Sequence, residues 1–541
     1  MATREIKWWH RASVYQIYPL SFQDSNGDGI GDIPGIISRL DHLKNLGVDV
    51  IWLSPVFQSP MKDNGYDVSD YREVHPWFGT KNDLKKLIEE VHRRGMKIIS
   101  DIVLNHTSDQ HPWFIDALKR VDSPYRDYYI FRKKINDIQS VFSGPAWTKV
   151  PHRDEYYFHF FAKEQPDLNW QNPNLRKALY AILNEWLAFG FDGFRLDVID
   201  LIGKDIDKGL IGHGPFYHAF LKELKDNVLK NANLFTVGEL SGSSAAQAAA
   251  VTGAPEGTFS MAFQFSHLWL DEQPGKGKWA LKRLDLLDLK NTFEHLHSVY
   301  EKQGWNALFM GNHDQPRPVS RYGSKYHRYH SQTMLQLAFY GQLGTPFIYQ
   351  GEEIGMINYP FKSIKEMKDV ESLNYYQDQL GKQPVRSIMQ SLLAKGRDHA
   401  RTPMQWSSKS YAGFSTKKPW LPVHPQYRSI NVETDAHSKH SIQQFLKQFL
   451  MLRKQHDVFI NGKLKFRSFH PSIYAYIREN GKESIMIISS FSSRKISLKI
   501  EDIQDWEVLL SNHPTLTLQS LTTIPPYFGV MLKKRNKHAN D

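Results

Sequence analysis

Four short stretches place acidic, basic and imidazole side chains at the ends of apolar runs: Asp101-Ile-Val-Leu-Asn105-His106, Arg195-Leu-Asp197, Gly238-Glu239 and Asn312-His313-Asp314. Residues two apart in a strand share a face, so Arg195 and Asp197 stand side by side. A cation so close favours the ionised carboxylate. Glu239 ends the apolar run LFTVGEL (234–240), surroundings that favour a protonated carboxyl. One charged and one protonated carboxyl form the set that cleaves a glycosidic bond: the first attacks the anomeric carbon, the second protonates the departing oxygen. Asp314 is a third carboxylate, able to hydrogen-bond ring hydroxyls as the oxocarbenium-like state forms. A single Arg–Asp pair has a bland reading as a buried structural ion pair; four charged strand ends together point to a site. Metal-dependent hydrolysis usually uses a ligand motif such as HExxH, and the sequence has no HExxH.

The elements that must position these groups repeat a rhythm of amphipathic helix, glycine and apolar strand. Helices are expected over residues 36–46, 80–94, 175–189, 215–231, 281–302 and 330–342. Strands are expected over residues 13–22, 48–56, 96–104, 191–199, 234–240, 261–266, 307–310 and 346–350. Eight strands alternating with helices predict a parallel (β/α)8 barrel, and the charged strand ends would then converge at one mouth. Between Asn105 and Trp170 the rhythm breaks into an aromatic-, Pro-, Asp- and His-rich interval with no clear barrel helix, read as a small domain inserted after the third strand. Beyond about residue 470 short β-rich runs, including a hairpin around Asn480-Gly481, predict an all-β C-terminal domain. The expected division is a catalytic barrel over 1–104 and 171–469, an inserted domain over 105–170, and a C-terminal β-sandwich over 470–541.

Composition bounds the class. The 541 residues are 41% hydrophobic and 23% charged, ordinary for a globular enzyme. The absence of cysteine excludes disulfides and thiolate chemistry and fits a reducing compartment, so a cytoplasmic protein is expected. Neither a signal-peptide core nor a run of about 18 apolar residues is visible, and no membrane association is expected. The net charge of +11 is scattered, apart from Lys533-Lys534-Arg535-Asn536-Lys537. That cluster reads as a solvated terminus, with no nucleic-acid partner. Near the start, Asp24, Asn26, Asp28 and Asp32 alternate with glycines, a spacing that wraps oxygen ligands round calcium or magnesium. The twelfth position is Gly35 rather than a bidentate glutamate, which favours a static structural ion over a calcium switch.

The segments DIVLNHTSD (101–109), QPDLN (165–169), GFRLDVID (193–200), TVGE (236–239) and NHDQPR (312–317), with YQGEEIGM (349–356) and GRDHARTPMQW (396–406), resemble the signatures of the α-amylase superfamily, glycoside hydrolase family 13, and its oligo-1,6-glucosidase-like subfamily. The resemblance implies Asp197 as nucleophile, Glu239 as acid/base and Asp314 as transition-state stabiliser, on a retaining α-glucosidase. It implies His106, Arg195 and His313 around the terminal glucose, with Asp63, Tyr66 and Arg401 closing that pocket. It implies a calcium site from Asp24, Asn26, Asp28, the Ile30 carbonyl and Asp32, and no organic cofactor. Val198 resembles the residue of α-1,6-preferring members, and Lys278 and Glu371 resemble acceptor-side residues of isomalto-oligosaccharide enzymes. The expected partners are small α-glucosidic oligosaccharides acted on from the chain end by a monomer. Trehalose-6-phosphate hydrolases share most of these motifs and stand as the alternative. Non-enzymatic transporter subunits are similar in fold but lack the full carboxylate set and carry a membrane helix. The segment after Glu239, with its Ala-rich stretch 244–251, departs from the pattern, as does Gly311.

Overall fold

The computed structural model describes residues 5–231, 233–253 and 257–535. The eight expected strands are all present: β1 Val14–Ile17, β2 Val50–Leu53, β3 Lys97–Val103, β4 Gly193–Asp197, β5 Phe235–Glu239, β6 Met261–Phe263, β7 Ala307–Leu308 and β8 Thr345–Tyr349. They pair in parallel in the order β6-β5-β4-β3-β2-β1-β8-β7. A parallel bridge between Ala262 and Asn306 joins the two ends, so the sheet closes into a barrel. Every residue of β1, β2, β4 and β5 is buried, as expected of strands covered on both faces. Trp52, Phe263 and Phe347 fill the interior, with Phe263 and Phe347 ring centroids 4.6 Å apart. Gly193 opens β4 with φ 148°, and a Cβ there would lie 1.9 Å from the Phe235 carbonyl oxygen, so only glycine lets β4 and β5 start together.

The helices follow the expected faces, with shifted ends. Lys81–Arg93 begins with the Thr80/Asp83 capping box. The helix expected over 36–46 is two, Ile33–Ser38 and Leu40–Leu46. They part at Arg39, whose Nε is bound by Gln23 and whose guanidinium lies 4.4 Å from the Trp406 ring centre. The helix expected from 215 runs over Tyr217–Leu224 and then loosens into a π-turn at Lys225–Leu229. The one expected from 281 begins at Leu286, where Asp285 caps it.

The interval 105–170 does contain a helix, Pro112–Lys119, and a three-stranded antiparallel sheet of Phe131–Arg132, Tyr156–Phe158 and Trp147–Lys149. A five-stranded antiparallel sheet follows the barrel, faced by a two-stranded one, Ile496–Lys499 with Leu521–Ile524. Its first strand is Lys463–Arg467, so the β-rich region starts ahead of residue 470. The helix Arg328–Tyr340 packs between barrel and sheet, and the Tyr476 hydroxyl donates to its Leu337 carbonyl. Asn536 and Lys537 of the basic cluster lie outside the described residues.

Candidate active site

The four charged strand ends meet. In the register of the sheet Asp101 lies opposite Arg195, and Val103 opposite Asp197. Arg195 is 1% exposed and holds three carboxylates. Its Nη1 donates to Asp101 Oδ1 (2.8 Å) and Asp197 Oδ1 (2.7 Å), and its Nη2 to Glu239 Oε2. Asp197 and Glu239 therefore face one another across a single guanidinium, at the same end of the barrel. Among the described residues neither Asp197 Oδ2 nor Glu239 Oε1 takes a protein hydrogen bond, and both side chains line a cavity of about 510 Å3. Asp101, which the motif reading left without a role, fixes Arg195 and is itself held by the Trp52 indole N–H (3.0 Å) and the Tyr66 hydroxyl (2.9 Å).

The charge balance differs from the expectation that Arg195 simply keeps Asp197 ionised. Burial is the largest influence on Asp197 and pushes its carboxyl up; Arg195 opposes this, while Glu239 and Asp101 reinforce it. Arg195 divides its single positive charge among three buried carboxylates, so it does not by itself offset the burial of Asp197. Val198, directly after Asp197, has φ 35° and ψ 44°, a left-handed conformation that is strained for a β-branched residue. The turn aims its backbone N–H at Glu239 Oε2 (3.1 Å), tying the two strand ends together.

Asp314 lies past the end of β7 and is 26% exposed, toward the cavity. Burial acts against its ionisation, but His313, Arg397 and Arg401 outweigh it and hold the carboxyl well below the usual range. The Gln16 amide nitrogen lies 2.8 Å from His313 Nδ1. An amide nitrogen only donates, so the ring proton is on Nε2, which faces Asp314 Oδ2 at 3.1 Å. His313 also stacks on Tyr66, with centroids 5.0 Å apart and planes 1° from parallel. His106 donates from Nε2 to the Tyr66 carbonyl (3.1 Å), and burial lowers its pKa to about 4, so it is neutral.

The structure corrects one part of the expected glucose pocket. Arg401 is fully buried, bonds Asp314 Oδ1 (2.9 Å) and the His313 carbonyl, and does not line the cavity. The arginine that meets Asp63 is Arg397, four residues earlier, with Nη2 2.9 Å from Asp63 Oδ1 and Nη1 3.2 Å from Asp314 Oδ1. The GRDHARTPMQW stretch carried both arginines, and local spacing could not choose between them. Asp369, buried beneath, pairs with Arg397 and is held below the ordinary aspartate range despite its burial. Lys278 and Glu371 both line the cavity and pair at 2.6 Å. The inserted segment adds Phe142, Phe160 and Phe161, aromatic walls the motifs did not mark.

The Asp24–Asp32 loop is closed by its own amides. Asp24 accepts from Asn26, Gly27 and Gly29 N–H, Asp28 Oδ1 from Ile30 N–H, and Asp32 caps Ile33–Ser38 through Gly35 N–H. Each carboxylate oxygen has two lone pairs, so the donor set still suits a hard cation. The three aspartates do not converge on one point among the described residues.

The described residues include no helix long and apolar enough to cross a membrane. Residues 16–462 match the family model for the α-amylase catalytic domain, and the chain belongs to that family; it is a glycoside hydrolase. It is 45% identical to the oligo-1,6-glucosidase of Parageobacillus thermoglucosidasius, over 96% of this chain and 97% of that one. It is 45% identical to the glucan 1,6-alpha-glucosidase of Streptococcus pneumoniae, over 92% and 93% respectively. A crystal structure of trehalose-6-phosphate hydrolase from Bacillus licheniformis superposes with a TM-score of 0.92 at 40% identity, covering 98% of this chain and all of that one.

Proposed function

We propose that the protein is a retaining α-glucosidase that removes terminal α-1,6-linked glucose from isomaltose and isomalto-oligosaccharides. Asp197 attacks the anomeric carbon, Glu239 protonates the glycosidic oxygen and later activates water, and Asp314 steadies the ring hydroxyls as positive charge builds at C1. The observation that carries this is the sharing of Arg195 by Asp197 and Glu239, each with a free oxygen on the same cavity. Exo action is supported by the cross-link of Asp63 and Asp314 through Arg397 on the cavity wall.

The trehalose-6-phosphate reading is supported by the structural likeness and weakened by the acceptor side. A phosphorylated acceptor asks for an uncommitted cation, and Lys278 and Arg397, the lysine and arginine lining the cavity, are paired with Glu371 and with Asp63 and Asp369. Turnover of isomaltose, isomaltotriose, maltose, trehalose and trehalose-6-phosphate decides between the readings. Faster turnover of trehalose-6-phosphate than of isomaltose would sink the 1,6-glucosidase assignment. The same reading includes a calcium ion, or magnesium, held for stability by Asp24, Asn26, Asp28, the Ile30 carbonyl and Asp32, supported by the oxygen donor set. It also includes a monomer in the cytoplasm, a location the cysteine-free composition fits.

A further inference from the structure

Part of the wall of the cavity that Glu239 lines is built from two loops. One carries Gly212 and His213; the other, directly after Glu239, carries Ser241 and Gly242. Asp200 ties them together: its carbonyl accepts from His213 N–H (3.1 Å) and its Oδ2 from Gly242 N–H (2.9 Å). His213 lies between two glycines yet itself takes the left-handed conformation, with φ 51°. Left-handed backbone is uncommon for a residue other than glycine, and histidine is among those that adopt it more readily. That side chain is fixed at one end only. Nε2 lies 2.6 Å from Oγ of the buried Ser243, while among the described residues Nδ1 has no protein partner. Burial and the nearby His218 depress the ring's pKa, so it is neutral at pH 7 and offers one uncharged hydrogen bond, suited to a hydroxyl.

We infer that His213 is a specificity-determining contact for the acceptor sugar, its Nδ1 edge hydrogen-bonding a hydroxyl of the second glucose as that sugar leaves past Glu239. The inference rests on the α-glucosidase reading above and extends it to the side of the cavity where the sequence departs from its relatives. The Asp200 clamp and Ser243 hold the ring on the wall, and the Lys278–Glu371 pair supplies polar groups elsewhere on the same cavity.

The test compares isomaltose with p-nitrophenyl α-glucoside, whose leaving group has no sugar hydroxyls. His213→Ala should lower kcat/KM for isomaltose about tenfold more than for the nitrophenyl substrate, the worth of one hydrogen bond to a positioned partner. His213→Gln, which keeps a hydrogen-bonding side chain, should recover part of that selective loss. Equal losses on both substrates, or no loss on either, would overturn the inference. If His213→Ala melts early, Ser243→Ala, which frees the ring but keeps the backbone bonds, carries the same expectation and the same refutation. A wild-type protein that hydrolyses neither substrate would refute the function itself, a result distinct from either outcome.

Discussion

Removing the Arg195 guanidinium is the sharpest perturbation the structure offers. The cation is 1% exposed and bonded to three carboxylates, of which Asp101 is 0%, Asp197 7% and Glu239 5% exposed. Arg195→Met keeps much of the stem and deletes the charge. Breaking a buried ion pair from one side costs roughly 3–5 kcal/mol, because the remaining charge is left in a medium that solvates it poorly. Here three acids are left behind, so at neutral pH the variant should take up protons that the wild type does not, and it should unfold more readily as pH rises. Hydrolysis of nitrophenyl α-glucoside should fall by orders of magnitude, since an uncharged Asp197 is no nucleophile. A second change separates charge from packing. Asp101→Asn removes one of the three acids, so Arg195→Met/Asp101→Asn should be more stable than Arg195→Met alone, by coupling expected of groups in direct contact. Denaturation followed by tryptophan fluorescence at pH 5 and pH 8 reads both variants. A double variant less stable than the single one, or an Arg195→Met midpoint that does not move between these pH values, would refute the shared-cation account.

Asp197→Ala should remain folded and lose hydrolysis by several orders of magnitude, because no covalent intermediate can form; near-normal turnover of nitrophenyl α-glucoside would contradict the assignment. Burial pushes Asp200 up to about 7, so the folded state binds its proton more tightly than the unfolded chain does. That stabilisation is complete below the unfolded value of about 3.9 and fades as pH rises through 7. Asp200→Asn keeps an acceptor for Gly242 N–H and should therefore gain stability relative to wild type between pH 5 and pH 8, as melting curves at the two pH values would show. Chelator treatment should lower the melting temperature if Asp24–Asp32 holds its ion, and re-added calcium should restore it; an unchanged melt would remove the ion from the account.

Much of this was written locally. Helix-Gly-strand alternation and the near-continuous apolar runs of β3, β4 and β5 are properties of neighbouring residues, and a closed parallel barrel is what such runs form when helices cover them. The chemistry was legible for the same reason. A charged residue at the end of a buried strand is costly unless it is paired or placed in a site, so Arg195, Asp197 and Glu239 stood out by position, while the role of Asp101 did not. Helix ends were less legible. Arg39 interrupts a periodic run through contacts with Gln23 and Trp406, the latter 367 residues away, that no window of sequence contains.

The sequence alone determined the strand count and which strand ends carry charge at the mouth of the barrel, because each depends on side chains next to one another in the chain. Only the tertiary structure decided which partner each charge meets. Arg195 had one visible neighbour in sequence and three in space, and this turned a simple ion pair into a shared-cation cluster. Asp63 and Arg397 lie 334 residues apart; the sequence reading named Arg401, and folding buries both arginines but lets only Arg397 reach the cavity wall. Charges in a buried cluster are set by the balance of every group within a few ångströms, and that balance exists only once the chain has closed.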